Sequence, residues 1–169
     1  FSLSMTSSPT VCGRWDRQMN AKSAPYAATS TRLTIPGRQT AVRDGLRALL
    51  DTLLLQSLPE DGRGTAEIVL AEALNNIVEH AYAHHDGEIE ISLRLRHNEL
   101  LCDISDTGLP MPDNQLPDGI LASFGDLEDL PEGGFGWHLI RSLSKDLRYR
   151  RENGRNLLSF RLDTQQSPA

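Results

Sequence analysis

Glu72, Asn76 and His80 stand four residues apart in AEIVLAEALNNIVEHAYAHH. On an α-helix they form one stripe, apart from the apolar face of Leu70, Leu74, Ile77, Val78 and Ala81. A carboxylate and an amide on one wall offer two kinds of chemistry. The carboxylate could orient water or take a proton. The amide oxygen suits Mg²⁺, a hard cation that prefers oxygen and keeps part of its water shell. The same spacing also fits an ordinary solvated face, and His80 reads as a structural histidine. A second candidate is DISDTG, residues 103–108, where a strand ends in Asp106 and Gly108 follows two residues later. Asp starts turns and Gly accepts positive φ. The stretch is either a plain strand exit or a carboxylate offered to a ligand N–H, with Gly108 leaving room for a flat ring. The third candidate is GGFGWHLIRSL, residues 133–143. A helix N-terminus carries unpaired N–H groups and the positive end of the helix dipole. Gly134 and Gly136 lack the Cβ atoms that would hold an anion away, so the pattern is either a phosphate cradle or a flexible lead-in. No GK[ST] follows it and no strand directly precedes it, which excludes a Walker A loop and the dinucleotide fingerprint. Phe135 and Trp137 read as packing residues.

These candidates need elements to hold them. The alternation RLTI, residues 32–35, predicts a strand stopped by Pro36-Gly37. Val42, Leu46, Leu49, Leu50, Leu53 and Leu54 recur at helical spacing and predict one helix over 40–57, broken by LPEDGRG. A longer helix follows over 65–84. EIEISLRLR, residues 88–96, alternates strictly and predicts a strand, with its return at 100–104. Residues 107–134 are rich in Gly, Pro and Asp and exceed an ordinary connection, so they read as a functional loop. A helix at 135–144 and a hairpin turning on Glu152-Asn153-Gly154 close the chain. The order β-α-α-β-β-α-β-β, dominated by hairpins, predicts an α+β two-layer sandwich: a mixed, mostly antiparallel sheet with helices on one face.

The 169 residues suffice for one cored domain, and the net charge of −6 argues against a general nucleic-acid binder. Two cysteines make neither a disulfide framework nor a metal cluster. No apolar run approaches the ~18 residues of a membrane span, and the start lacks the pattern of a secretory signal. The expectation is a cytoplasmic protein with no membrane and no nucleic-acid partner. Residues 1–30, rich in Ser, Thr, Ala and Pro, read as a flexible tail preceding a domain at 31–165.

Taken in order, the three candidates resemble the motifs of the GHKL ATPase superfamily: gyrase, the heat-shock chaperone of the same fold, histidine kinases and mismatch-repair ATPases. EALNNIVEHAY is similar to the N-box of the small bacterial anti-sigma-factor serine kinases. DTGLPMPD is similar to their first glycine box, GGFGWHLIRSL to their second, and RYRRENGRNLLSFRL to their closing hairpin. The resemblance covers roughly residues 32–163 and implies the Bergerat ATP-binding fold. It implies ATP and Mg²⁺ as cofactors, Glu72 as general base or water-orienting carboxylate, and Asn76 as Mg²⁺ ligand. Asp106 would accept the adenine amino hydrogen, with Gly108 near the base. Gly134 and Gly136 would hold phosphates, and 107–134 would form the ATP lid. It also implies a serine-protein kinase that silences a sigma factor, phosphorylates a STAS-type antagonist, and pairs as a homodimer.

The lid departs from a phosphoryl-transfer site in one respect. Residues 107–140 contain no Lys or Arg and six acids: Asp113, Asp118, Asp126, Glu128, Asp129 and Glu132. Phosphoryl transfer usually combines a metal with a cationic side chain, and Arg141 is the nearest candidate. A non-catalytic module that sequesters a partner is therefore a competing expectation. A detached histidine-kinase catalytic domain is a weaker one, because no helix carries a phosphoacceptor His with the usual flanking residues.

Overall fold

A computed structural model describes residues 2–4, 30–119 and 134–165. Its strands are β1 (Ser2–Ser4), β2 (Ser30–Pro36), β3 (Glu88–Arg96), β4 (Glu99–Asp106), β5 (Lys145–Glu152) and β6 (Arg155–Asp163). Its helices are α1 (Gln39–Leu50), α2 (Leu53–Gln56), α3 (Glu60–Asn76) and α4 (Gly134–Leu143). The strands form one sheet in the order β1-β2-β3-β4-β6-β5. Every ladder among the described strands is antiparallel. The helices pack on one face of this sheet, α1 against β2 and α3 against β6, and α3 is flanked by α1 and α4. The architecture is the α+β sandwich predicted from the hairpin-rich pattern.

Alternation fixes which side chains enter the core. Leu33, Ile91, Ile104 and Leu158 occupy one rung of neighbouring strands and are all buried. Their partners across the rung are the apolar faces of α1 and α3, where Leu49, Leu70 and Leu74 are fully buried. Each such side chain contributes about 1.5–3 kcal/mol by leaving water. The opposite face of the sheet is polar and carries ion pairs such as Arg94–Asp103 and Arg155–Glu90, at 3.1 and 3.0 Å.

The next rung toward the strand ends reads Ile35, Ile89, Asp106, Asn156, Arg151. Register alone therefore sets Asp106 beside Asn156 on the core side of the sheet. The hairpin that delivers Asn156 turns through Asn153 and Gly154, both at positive φ (49° and 78°), as an Asn-Gly turn requires.

Two helix boundaries differ from the sequence expectation. The predicted 40–57 helix is two helices, because Thr52 leaves the helical conformation (ψ 148°) and caps α2. Its hydroxyl donates to the Leu49 carbonyl at 2.6 Å and accepts from the Leu55 N–H at 3.4 Å. Conversely, EDGRG does not break the chain but forms the first turns of α3. Gly62 is needed there for a tertiary reason: a Cβ would lie 2.6 Å from the Thr164 carbonyl oxygen. Of the expected N-terminal tail, Ser2–Ser4 add a short strand along residues 32–34 of β2, and residues 5–29 lie outside the described residues.

Candidate functional site

The catalytic-looking helix changes phase just after Asn76. Residues Ile77–Ala81 form a π turn, closed by the Tyr82 N–H donating to the Ile77 carbonyl at 3.2 Å. Such turns are rare and recur at functional sites. The extra residue carries Tyr82 inward, where it is 6 % exposed. Its hydroxyl donates to the Glu88 carbonyl at 2.7 Å and accepts from the Thr107 N–H at 3.0 Å. Tyr82 thus ties the end of the helix to the start of β3 and to the turn that follows Asp106.

Asn76 and Asp106 face the same cavity, of about 240 Å³. Its walls are largely apolar, with Ile77, Met111, Trp137 and Leu158 among them, and it also contacts His80, Tyr149 and Asn156. An apolar pocket with a few converging polar groups is the usual form of a small-molecule site. His80 is exposed at its edge, Trp137 is buried in its wall, and Phe135 is exposed and stacks with His138.

Asp106 is 3 % exposed. Its Oδ1 accepts from the Gly108 N–H and from Asn156 Nδ2, both at 2.8 Å. Its Oδ2 has no hydrogen bond among the described residues. Burial pushes the Asp106 carboxyl above the ordinary carboxylate range, partly offset by those two hydrogen bonds and by Arg151 and Arg155. A Cβ at Gly108 would lie 2.5 Å from the Ala81 carbonyl oxygen. The same carbonyl accepts from the Leu109 N–H at 2.9 Å. The protein's own helix end, not a flat ring, occupies the space a side chain at 108 would need.

Asn76 is 6 % exposed, and its Nδ2 makes no hydrogen bond among the described residues. Beside it α3 and α4 cross at Gly136, where a Cβ would meet Glu72 Oε2 at 2.5 Å and Asn76 Nδ2 at 3.4 Å. Gly136 therefore brings the first turn of α4 against the half-buried Glu72 and the buried Asn76. Gly134 opens that helix. A buried amide without a partner is costly, about 1–3 kcal/mol, and rare in native proteins. A half-turn of χ2 would present its oxygen to a cation in the same place. The described residues contain no cluster of three or more His, Cys, Asp and Glu able to hold a metal by themselves. One amide oxygen, completed by phosphate and water, is the donor set Mg²⁺ accepts.

Arg141, the candidate cation, is engaged elsewhere. Its Nε donates to the Pro117 carbonyl at 2.8 Å, and His138 Nδ1 lies 3.1 Å from the Gly119 carbonyl oxygen. Together they fasten the first part of the long loop to α4. The predicted lid continues through residues 120–133, which lie outside the described residues.

Three residues of this site escaped the sequence reading: Tyr149, Arg151 and Asn156. One readable signal was available. Along β6 the inward positions are Asn156, Leu158, Phe160 and Leu162, and an amide heading an otherwise apolar face asks for a partner.

The sandwich, the cavity at its strand ends and the glycine-opened helix define a class, the histidine kinase-like ATPase domain. The profile of that family matches residues 35–162, and the chain belongs to it. Within the family it is similar to the serine-protein kinase RsbW of Bacillus cereus (strain AH820). The two are 35 % identical over 94 residues, which is 54 % of this chain and 59 % of that protein. RsbW of Bacillus anthracis matches with the same identity and extent. The alignment thus spans little more than half the length of these relatives. The histidine kinase AdeS of Acinetobacter baumannii matches with a TM-score of 0.42 and 18 % identity, over 80 % of this chain and 68 % of that one.

Proposed function

We propose that this chain binds Mg²⁺-ATP and acts as a serine-protein kinase and anti-sigma factor. On this reading it silences a sigma factor and phosphorylates a serine of a STAS-type antagonist. The observation that carries the nucleotide part is the convergence of Asn76 and Asp106 on one cavity beside the N-terminus of α4. The similarity to RsbW, named a serine-protein kinase, supports the reaction class.

Each residue then has a physical role. Asp106 Oδ2 accepts a hydrogen from the adenine amino group while Oδ1 stays tied to the protein. Apolar walls take the flat base. The Asn76 amide oxygen holds Mg²⁺, which, when bound, neutralises phosphate charge. Backbone N–H groups following Gly134 and Gly136 receive phosphate oxygens, favoured by the helix dipole. Glu72, at the same crossing, accepts the proton of the attacking serine hydroxyl. Gly108 acts at one remove, letting the turn after Asp106 close on Ala81. The kinase occupies residues 31–165, works in the cytoplasm and pairs as a homodimer.

Two measurements test this. Titration calorimetry with ATP, with and without Mg²⁺, should give a metal-dependent affinity. Incubation with Mg²⁺-ATP and a STAS-domain antagonist should give phosphoserine, lost in Glu72→Ala. A second reading, a binding module that sequesters its partner without catalysis, is favoured by the acidic loop and by Arg141 donating to Pro117. ATP binding with no transfer to any antagonist would select it.

A further inference from the structure

Asn156 sits where a side-chain amide has almost no freedom. Its Oδ1 accepts from Arg151 Nη1 at 2.6 Å and from the Tyr149 hydroxyl at 2.8 Å. Its Nδ2 donates to Asp106 Oδ1 at 2.8 Å and to the Leu109 carbonyl at 2.9 Å. Two donors on the oxygen side and two acceptors on the nitrogen side fill the amide's capacity. Flipping it would set NH₂ against a guanidinium and oxygen against a carboxylate. The orientation is therefore enforced from outside, by residues of the β5–β6 hairpin.

We propose that Asn156 is the positioning residue that makes this site selective for an amino-bearing purine. It acts through Asp106. With Gly108 N–H and Asn156 Nδ2 both on Oδ1, the carboxylate cannot rotate without losing two buried hydrogen bonds. Oδ2 is then held as a pure acceptor at the cavity wall. A base offering an exocyclic N–H satisfies it, whereas a base offering a carbonyl there sets two acceptors face to face. Tyr149 extends the device, because its hydroxyl also accepts from the Met111 N–H at 3.1 Å. Arg151 does the same through the Gly108 carbonyl at 3.0 Å. The hairpin thereby holds both the carboxylate and the 108–111 segment, whose Leu109, Pro110 and Met111 line the cavity.

This inference rests on the ATP-binding reading above, and a chemical double cycle separates the two. The affinities of ATP and of purine riboside triphosphate, which lacks the 6-amino group, are measured by calorimetry in the presence of Mg²⁺. The proteins are wild type, Asn156→Ala and Tyr149→Phe. Wild type should prefer ATP by about tenfold, the worth of one hydrogen bond to a charged acceptor. Asn156→Ala should bring the ratio of the two affinities close to one, weakening ATP more than the amine-free analogue. Tyr149→Phe, which removes one hydroxyl, should fall between. A purely structural role would weaken both ligands alike and leave the ratio unchanged, and that result in Asn156→Ala overturns the proposal. If Asn156→Ala does not fold, an unchanged ratio in Tyr149→Phe overturns it instead. Wild type binding both nucleotides equally overturns the inference and the role of Asp106. Wild type binding neither overturns the ATP reading itself.

Discussion

Asp106 and Asn76 line one cavity and are almost equally inaccessible, at 3 % and 6 % exposure, yet their surroundings differ. Asp106 is held by Gly108 and Asn156, and Asn156 is held in turn by Arg151 and Tyr149. Asn76 carries a buried N–H pair with no partner among the described residues. At the sheet end the protein satisfies every polar group but Asp106 Oδ2, because strand register brings those groups together. The helix end is left for something else to complete, since α3 and α4 supply a bare crossing at Gly136 and nothing that accepts from the amide. Groups that hold one another in a buried network stiffen their surroundings, whereas a group left without a protein partner marks a place for a ligand. The two ends should therefore respond to mutation with opposite signs of stability.

The largest effect should come from Gly108→Val, which drives carbon atoms into the Ala81 carbonyl 2.5 Å away. We expect a loss of about 3 kcal/mol in urea unfolding, together with loss of ATP binding. A variant of wild-type stability would show that the turn can move, and the sheet end would not be rigid. Next, Asn76→Leu should reduce Mg²⁺-dependent ATP affinity on the order of a hundredfold. Its stability should match or exceed wild type by about 1 kcal/mol, because a similar shape replaces an unpartnered amide. Equal losses of stability and affinity would place Asn76 in the same structural role as Asn156.

Asp106→Asn tests the sheet end through pH. Its Oδ1 still accepts from Gly108 and Asn156, while Nδ2 replaces the free acceptor. Because burial raises the carboxyl pKa of Asp106 above its unfolded value, the wild-type site is most favourable when protonated. That contribution is fully present below the ordinary carboxylate pKa and is lost as pH rises through the raised one. Asp106→Asn should therefore gain stability relative to wild type as pH rises from the acid range to neutrality, and lose ATP at every pH. A stability difference independent of pH would remove the desolvation argument. The smallest effect belongs to Arg141→Ala. With the guanidinium on Pro117, ATP affinity should change by no more than about threefold. A loss beyond tenfold would mean that Arg141 reaches the phosphates and that the helix end does contain a cation.

The sheet and its register were legible wherever one face is buried, because period-two alternation admits no slip. The strand at 88–96 and the hairpin around Asn153-Gly154 match the structure for that reason. Helix limits were less legible, since they depend on contacts made far along the chain. Gly62 reads as a breaker until Thr164 is seen against it, and Thr52 reads as one more helical residue until its hydroxyl is seen on Leu49. The site divides in the same way. Glu72, Asn76, Asp106 and the glycines announce themselves in short motifs. The residues that orient Asp106 come from the last hairpin, about 50 positions away, and leave only an inward-facing amide as their trace.

The π turn at Ile77–Ala81 carries one further consequence. It makes the distance between Asn76 and Tyr82 a matter of counting: five residues span a turn where four would ordinarily do. Winding the same five residues as a regular α-helix would swing Tyr82 by roughly 100° about the axis, off the Glu88 carbonyl and the Thr107 N–H. A substitution that re-formed regular helical hydrogen bonding in this short run would thus misalign strand and helix together without removing any side chain.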